Sequence, residues 1–190
     1  MSNIYLWEIP ESYPNKLIGI YNQELSPSYF LFMGGVRLSA AEVPNKPIIT
    51  FEIDKSRLAS LDCLVNSSGV PVVSDRLAKL LINLAADDIQ LFDVTIECPD
   101  GELKGYKLVN VTQMIKGIDH ELSIYKKMKD CDIILTIKHL VYKAGCMAKY
   151  KIVRDKECIT NLLVNQEISE AFKKEKISGV RIITPEEYYG

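Results

Sequence analysis

Apolar and polar residues along this chain fall into short runs that start and stop at turn-forming residues. Ile4 to Ile9 predicts a first strand, stopped by Pro10, because proline cannot donate to a strand ladder. Ile48-Ile49-Thr50-Phe51-Glu52-Ile53 is rich in β-branched residues and predicts another strand. Residues 10–47 between them read as irregular, broken by Pro10, Pro14, Pro27, Pro44, Pro47 and the pair Gly34-Gly35. Inside that stretch, Tyr29-Phe30-Leu31-Phe32-Met33 is expected to pair as a short strand.

One pattern occurs twice. Val72-Val73-Ser74-Asp75-Arg76-Leu77-Ala78-Lys79-Leu80-Leu81 leads into Ile89-Gln90-Leu91-Phe92. Without a gap, Leu163-Val164-Asn165-Gln166-Glu167-Ile168-Ser169-Glu170-Ala171-Phe172 leads into Val180-Arg181-Ile182-Ile183. Each copy reads as strand end, cap, amphipathic helix and strand. Ser74 and Asn165 are the expected N-caps, since their side-chain oxygens can accept a free N–H of the first turn. Leu77, Leu80, Leu81 and Leu84 follow helical spacing and predict one buried stripe, and Ile168, Ala171 and Phe172 predict another. Ser178-Gly179 is expected to end the second helix, because glycine tolerates the left-handed conformation found there.

Elsewhere the pattern favours strands. Ile89 to Glu97 reads as one strand, Pro99-Asp100-Gly101 as a turn, and Tyr106 to Thr112 as the returning partner. Ile118 to Lys129 fits either a short helix capped by Asp119 or a strand. Ile133 to Ile137, Tyr150 to Val153 and Ile159 to Val164 read as strands, with Gly145 in a turn. Val180 to Thr184 is the last strand before a tail from Pro185. The expected fold class is α+β: a mixed, largely antiparallel sheet with few helices and two similar strand-helix-strand units. The alternative is two small βαβ-like lobes sharing one core.

Composition narrows the function classes. The 190 residues are 47% hydrophobic and 25% charged, which suits one globular domain over residues 1–190. A net charge of −2 argues against a nucleic-acid binder, which normally carries a basic excess. Lysines at Lys126, Lys127 and Lys129 and at Lys173, Lys174 and Lys176 read as solvated helix faces. The first residues lack a basic start and a long apolar run, and no stretch reaches the roughly 18 apolar residues of a membrane span. A soluble, cytoplasmic protein is expected, with no membrane partner. Five cysteines, an odd number without C-x-x-C spacing, predict neither a disulfide framework nor zinc. Cys131 and Cys158 sit in apolar runs and read as core thiols.

The usual catalytic signatures are missing, including the phosphate-binding loops and zinc motifs. Gly34-Gly35 reads as a turn rather than a phosphate cradle. Asp119-His120-Glu121 is the densest titratable cluster, but adjacent residues diverge on a helix and alternate on a strand. No catalytic residue, metal or cofactor is therefore assigned. What remains is surface. Ten tyrosines supply large contacts with polar tips, which suits protein interfaces. Irregular segments often carry binding residues. On that basis the partner-binding candidates are Tyr13, Tyr21, Tyr29 and Phe30.

The phrase Val72-Val73-Ser74-Asp75-Arg76-Leu77, followed by Ile89-Gln90-Leu91-Phe92-Asp93-Val94, resembles a bacterial family of immunity proteins from polymorphic toxin systems. So do Tyr106 to Val111 and the ending Leu162 to Ile168 with Ser178 to Tyr188. The likeness covers roughly residues 45 to 189 and leaves about 1–47 as a variable N-terminal part. It implies a non-enzymatic protein that binds and neutralises a cognate toxin inside the producing cell. Two other classes stay open: an enzyme using an unrecognised carboxylate or Asp119/His120 site, and a secretion-apparatus adaptor module.

Overall fold

The computed structural model describes residues 4–128 and 134–189. In chain order its elements are β1 (Ile4–Glu8), β2 (Ile20–Tyr21), β3 (Ile48–Thr50), α1 (Lys55–Leu58), β4 (Cys63–Leu64), β5 (Val72–Ser74), α2 (Asp75–Ala85), β6 (Ile89–Asp93), β7 (Thr95–Cys98), β8 (Gly101–Leu103) and β9 (Tyr106–Val111). Then follow β10 (Met114–Ile115), β11 (Ile124–Lys127), β12 (Ile134–His139), β13 (Ile152–Asp155), β14 (Leu162–Asn165), α3 (Gln166–Lys174) and β15 (Arg181–Ile183). The chain is α+β and mostly antiparallel. Among the named strand pairings only β10 with β13 and β3 with β7 are parallel.

The strands form a five-stranded sheet ordered β10-β13-β14-β1-β15, two four-stranded sheets ordered β4-β5-β9-β6 and β2-β3-β7-β8, and the hairpin β11-β12. In the first four-stranded sheet β5 and β6 flank β9, both antiparallel to it. In the five-stranded sheet β14 and β15 flank β1 in the same way. In each case a helix joins the flanking pair. Helix α2 begins after Ser74, whose Oγ accepts from Leu77 N at 3.2 Å, and α3 begins after Asn165, whose Oδ1 accepts from Ile168 N at 3.1 Å.

Three apolar clusters follow from strand periodicity. Leu77, Leu81, Val109, Val164, Ile168 and Phe172 form one between the two helices and their sheets. Trp7 packs there edge-on against Phe172 at 5.1 Å. Phe32, Ile49, Phe51, Ile96 and Leu108 form a second. Leu6, Ile118, Tyr142, Val153 and Leu163 form a third. Successive residues of β14 divide between them: Leu162 and Val164 enter the first cluster, Leu163 the third. A strand buried on both faces reads as a continuous apolar run, as this one does.

Several sequence expectations change. The run Ile89 to Glu97 is two strands. The β6 ladder with β9 ends at Asp93 opposite Lys107, and Thr95 crosses to pair with Ile48 of β3. Pro99-Asp100-Gly101 does turn, but it joins β7 to β8, and β9 pairs with β5 and β6. Tyr29–Met33 is a 3₁₀ helix, because burying both Phe32 and Met33 is incompatible with strand alternation. Within Ile118 to Lys129, Ile124–Lys127 is strand β11, so Lys126 and Lys127 lie on a strand rather than a helix. Ile133, Lys129 and Cys131 lie outside the described residues.

Helix α3 ends earlier than expected. Lys176 takes the left-handed conformation at φ 51°. Ile177 N donates to Phe172 O and Lys176 N to Lys173 O, which together close the helix end. Gly179, at φ 78°, serves a close approach instead, since a Cβ there would run into the carbonyl oxygen of Cys63. The chain after α3 thus lies directly on β4, where Cys63 N donates to Ser178 O at 3.0 Å. No helix among the described residues is long and apolar enough to cross a membrane.

Candidate functional site

The segment between β1 and β3 lacks long elements but is held in place by local chemistry. Asn22 Oδ1 accepts from Glu24 N and Leu25 N, which tightens one turn. Ser26 Oγ accepts from Ile48 N, and Tyr21 OH donates to Pro27 O at 2.7 Å. Gln90 bonds the backbone of Leu38 through both ends of its amide, and Asn110 Nδ2 donates to Val36 O. Phe32 is fully buried and meets Phe92 edge-on at 5.4 Å.

This frame separates the four aromatic candidates. Tyr21 is a core residue, 3% exposed, and burial pushes its hydroxyl up to about 12. Tyr29 is half-buried and lies edge-on to Tyr21 at 5.9 Å. Phe30 tilts against Tyr29 at 4.4 Å and is 60% exposed. Tyr21, Tyr29 and Phe30 therefore form one file of rings from core to solvent. Tyr13 stands apart from that file, half-buried, with its hydroxyl beside the backbone of Val65. Ile20, Leu25 and Val36, also exposed, belong to the same segment. The sequence pointed to the segment through its aromatic content. It gave no sign of which rings face outward, because 3₁₀ geometry and tertiary burial decide that.

A second apolar exposure lies on and around the β11-β12 hairpin, at Leu122, Ile124, Met128 and Leu135. The inner face of the hairpin carries Ile137, which is buried. Nothing in the sequence pattern singled out this hairpin.

The titratable cluster at residues 119–121 is engaged structurally. Asp119 Oδ1 accepts from the backbone N–H groups of Glu121 and Leu122, forming a turn. His120 Nε2 lies 2.8 Å from Glu157 Oε1, and its Nδ1 lies 2.7 Å from Tyr125 OH. Both ring nitrogens are thus committed to protein partners. His139 sits on β12 opposite Ile124. Among the described residues no three His, Cys, Asp or Glu side chains gather to hold a metal. Cys63, Cys98, Cys146 and Cys158 are free thiols, and burial pushes the Cys63 thiol up to about 12. A thiol so buried is a poor nucleophile.

Polar side chains are also buried on β13. Tyr142 OH donates to Asp155 Oδ2 at 2.8 Å. Arg154 is fully buried on the adjacent position. Its Nη1 donates to Ile159 O at 2.5 Å, while Nε and Nη2 have no partner among the described residues.

A family model described as Immunity protein family (Imm11) matches residues 6–185. The match reaches further toward the N-terminus than the sequence resemblance and includes the aromatic segment. No curated protein matches the chain.

Proposed function

The chain belongs to the Imm11 immunity protein family, and on that premise we propose that it binds and neutralises a cognate bacterial toxin by a non-catalytic protein–protein contact. The observation that carries this reading is the family match over residues 6–185. The protein acts as one domain in the cytoplasm of the producing cell, where it meets the toxin before export. The engaged imidazole of His120 and the buried thiol of Cys63 agree with a role that needs a complementary surface rather than a reacting group.

For the contact we infer the aromatic segment, with Phe30 at its centre and Tyr29 behind it. Exposed large apolar side chains on a fixed frame are the usual anchors of protein interfaces. Tyr13 and Tyr21 support the frame. We also infer that β5-α2-β6 and β14-α3-β15 are copies of one local plan, since each pair of strands brackets an antiparallel strand.

Co-expression with a candidate cognate toxin tests the function. Protection of the cells and a complex isolated by size exclusion are the expected results. Equal killing with and without this protein, and no complex, would overturn it. Recovery of secretion-apparatus subunits without a toxin would favour the adaptor reading instead.

A further inference from the structure

A cleft of about 240 Å³ opens between the end of β1 and the β4 strand with the turn that follows it. Trp7, Leu64, Val70 and Leu162 supply apolar wall. Glu8 is the one acidic or basic side chain in the lining among the described residues. Its register neighbour Arg181 bonds Glu11, so it gives Glu8 only a through-space attraction. Burial outweighs that attraction and raises the Glu8 carboxyl above its ordinary value.

The other open demand in the cleft is Asn161, 1% exposed. Its Oδ1 accepts from Tyr188 OH at 3.1 Å, and its amide also lies beside the buried Tyr142 hydroxyl, although Nδ2 has no acceptor at full hydrogen-bond geometry among the described residues. Asn66, also in the lining, is already satisfied, donating to Val70 O and accepting from Ser68. A half-buried carboxylate and an unmade amide donor, set in apolar walls, ask for a ligand with a cation, an aliphatic stem and a carbonyl.

We propose that this cleft receives an arginine side chain of the partner protein, with the guanidinium on Glu8 and the adjoining main-chain carbonyl accepting from Asn161 Nδ2. The assignment rests on the toxin-binding reading above. Arginine fits better than lysine, because a guanidinium is less strongly hydrated and offers several donors in a fixed planar fork that matches a carboxylate. The cleft continues the irregular segment: Ile9 lines it, and Tyr13 reaches the backbone of Val65 in its wall.

The test is an NMR titration of the isolated protein with Nα-acetyl-arginine methylamide and with the citrulline counterpart, which keeps the shape and removes the charge. Expected are shifts of the Trp7 indole and the Asn161 side-chain amide at millimolar arginine compound. Affinity for the citrulline compound should be roughly tenfold lower, the loss for one charge-assisted hydrogen bond. Glu8→Gln should lower arginine affinity by a similar factor. Equal affinity of wild type for the two compounds, shifts only outside the cleft, or no shift at tens of millimolar would overturn the proposal. The wild-type comparison decides even if Glu8→Gln is poorly folded. The titration needs no toxin, so the two readings fail separately. Wild type that does not protect cells yet binds the arginine compound loses the toxin reading and keeps the cleft. Wild type that protects but shows no charge preference loses the cleft alone.

Discussion

At Asp62 one carboxylate ties together segments far apart in the chain. It accepts from Ser74 Oγ at the cap of α2, from Arg76 Nε and Nη2, and from Ser178 N and Oγ beyond α3. Burial by itself would raise its carboxyl, but the bonds from Arg76, Ser178 and Ser74 outweigh burial and hold it at about 2. A depressed carboxyl contributes stability above its unfolded value, near 3.9. That contribution should be present at neutral pH and lost as pH falls from about 4 to about 2. Asp62→Ala should cost about 1–3 kcal/mol at pH 7, since it leaves the half-buried donors of Ser74 and Ser178 unpaired and frees the exposed Arg76, and should remove the acid-sensitive part of the unfolding free energy in that window. Urea melts at stepped pH check both. Arg154 presents the opposite case. Burial pushes its guanidinium down to about 10, and only Nη1 among its nitrogens finds an acceptor among the described residues, Ile159 O. Arg154→Met should therefore be neutral or stabilising by about 1–3 kcal/mol, as apolar replacement of a poorly compensated buried charge often is. A loss above about 2 kcal/mol would mean that the bond to Ile159 O and the packing of the side chain outweigh the cost of burying the charge.

At the scale of elements, the starts of α2 and α3 were legible in the sequence, while the short helix α1 was not. Ser74 and Asn165 cap as their residue types suggest, because capping depends on atoms three residues apart. The buried stripe was legible in part: Leu77, Leu81 and Ile168 are fully buried and Phe172 nearly so, while Leu80, Leu84 and Ala171 are half-buried. Leu81→Ala and Phe172→Ala should each cost about 2–5 kcal/mol in denaturant melts, the range for large-to-small core changes. The end of α3 was not legible. Lysine occupies the left-handed position at Lys176, and the glycine three residues on serves a tertiary contact. Lys176→Gly should stabilise by about 0.5–1 kcal/mol, since glycine takes positive φ without strain. Gly179→Ala should destabilise by about 2 kcal/mol or more, because both its φ and the Cys63 carbonyl oppose a Cβ. Comparing the two variants in one thermal series separates a local helix cap from a long-range docking contact.

For the whole molecule, the decisive measurement is whether Phe30 belongs to the interface. Phe30→Ala should weaken the toxin complex by about 1–3 kcal/mol in calorimetry while changing the stability of the free protein by less than about 0.5 kcal/mol, as expected for an exposed anchor. Tyr21→Ala should do the reverse and lower stability first, because Tyr21 is in the core. Local periodicity and capping chemistry were enough to place α2, α3 and most strands, since those signals act over a few residues. The α+β class followed from them, whereas the family likeness rests on the resemblance of whole residue phrases and on the match over residues 6–185. Strand partnership was decided elsewhere: whether Tyr106–Val111 pairs with Ile89–Asp93 or with Thr95–Cys98 depends on which sheet buries each face, and that is set by residues distant in sequence. The same holds for the candidate surface. Composition located an aromatic segment, but only the assembled core, with Tyr21 paired through β2 to β3 and bonded to Pro27 O, buries Tyr21 and leaves Phe30 exposed. In a segment without a regular period, which ring is buried is a property of the assembled chain, because no local pattern fixes the direction of its side chains.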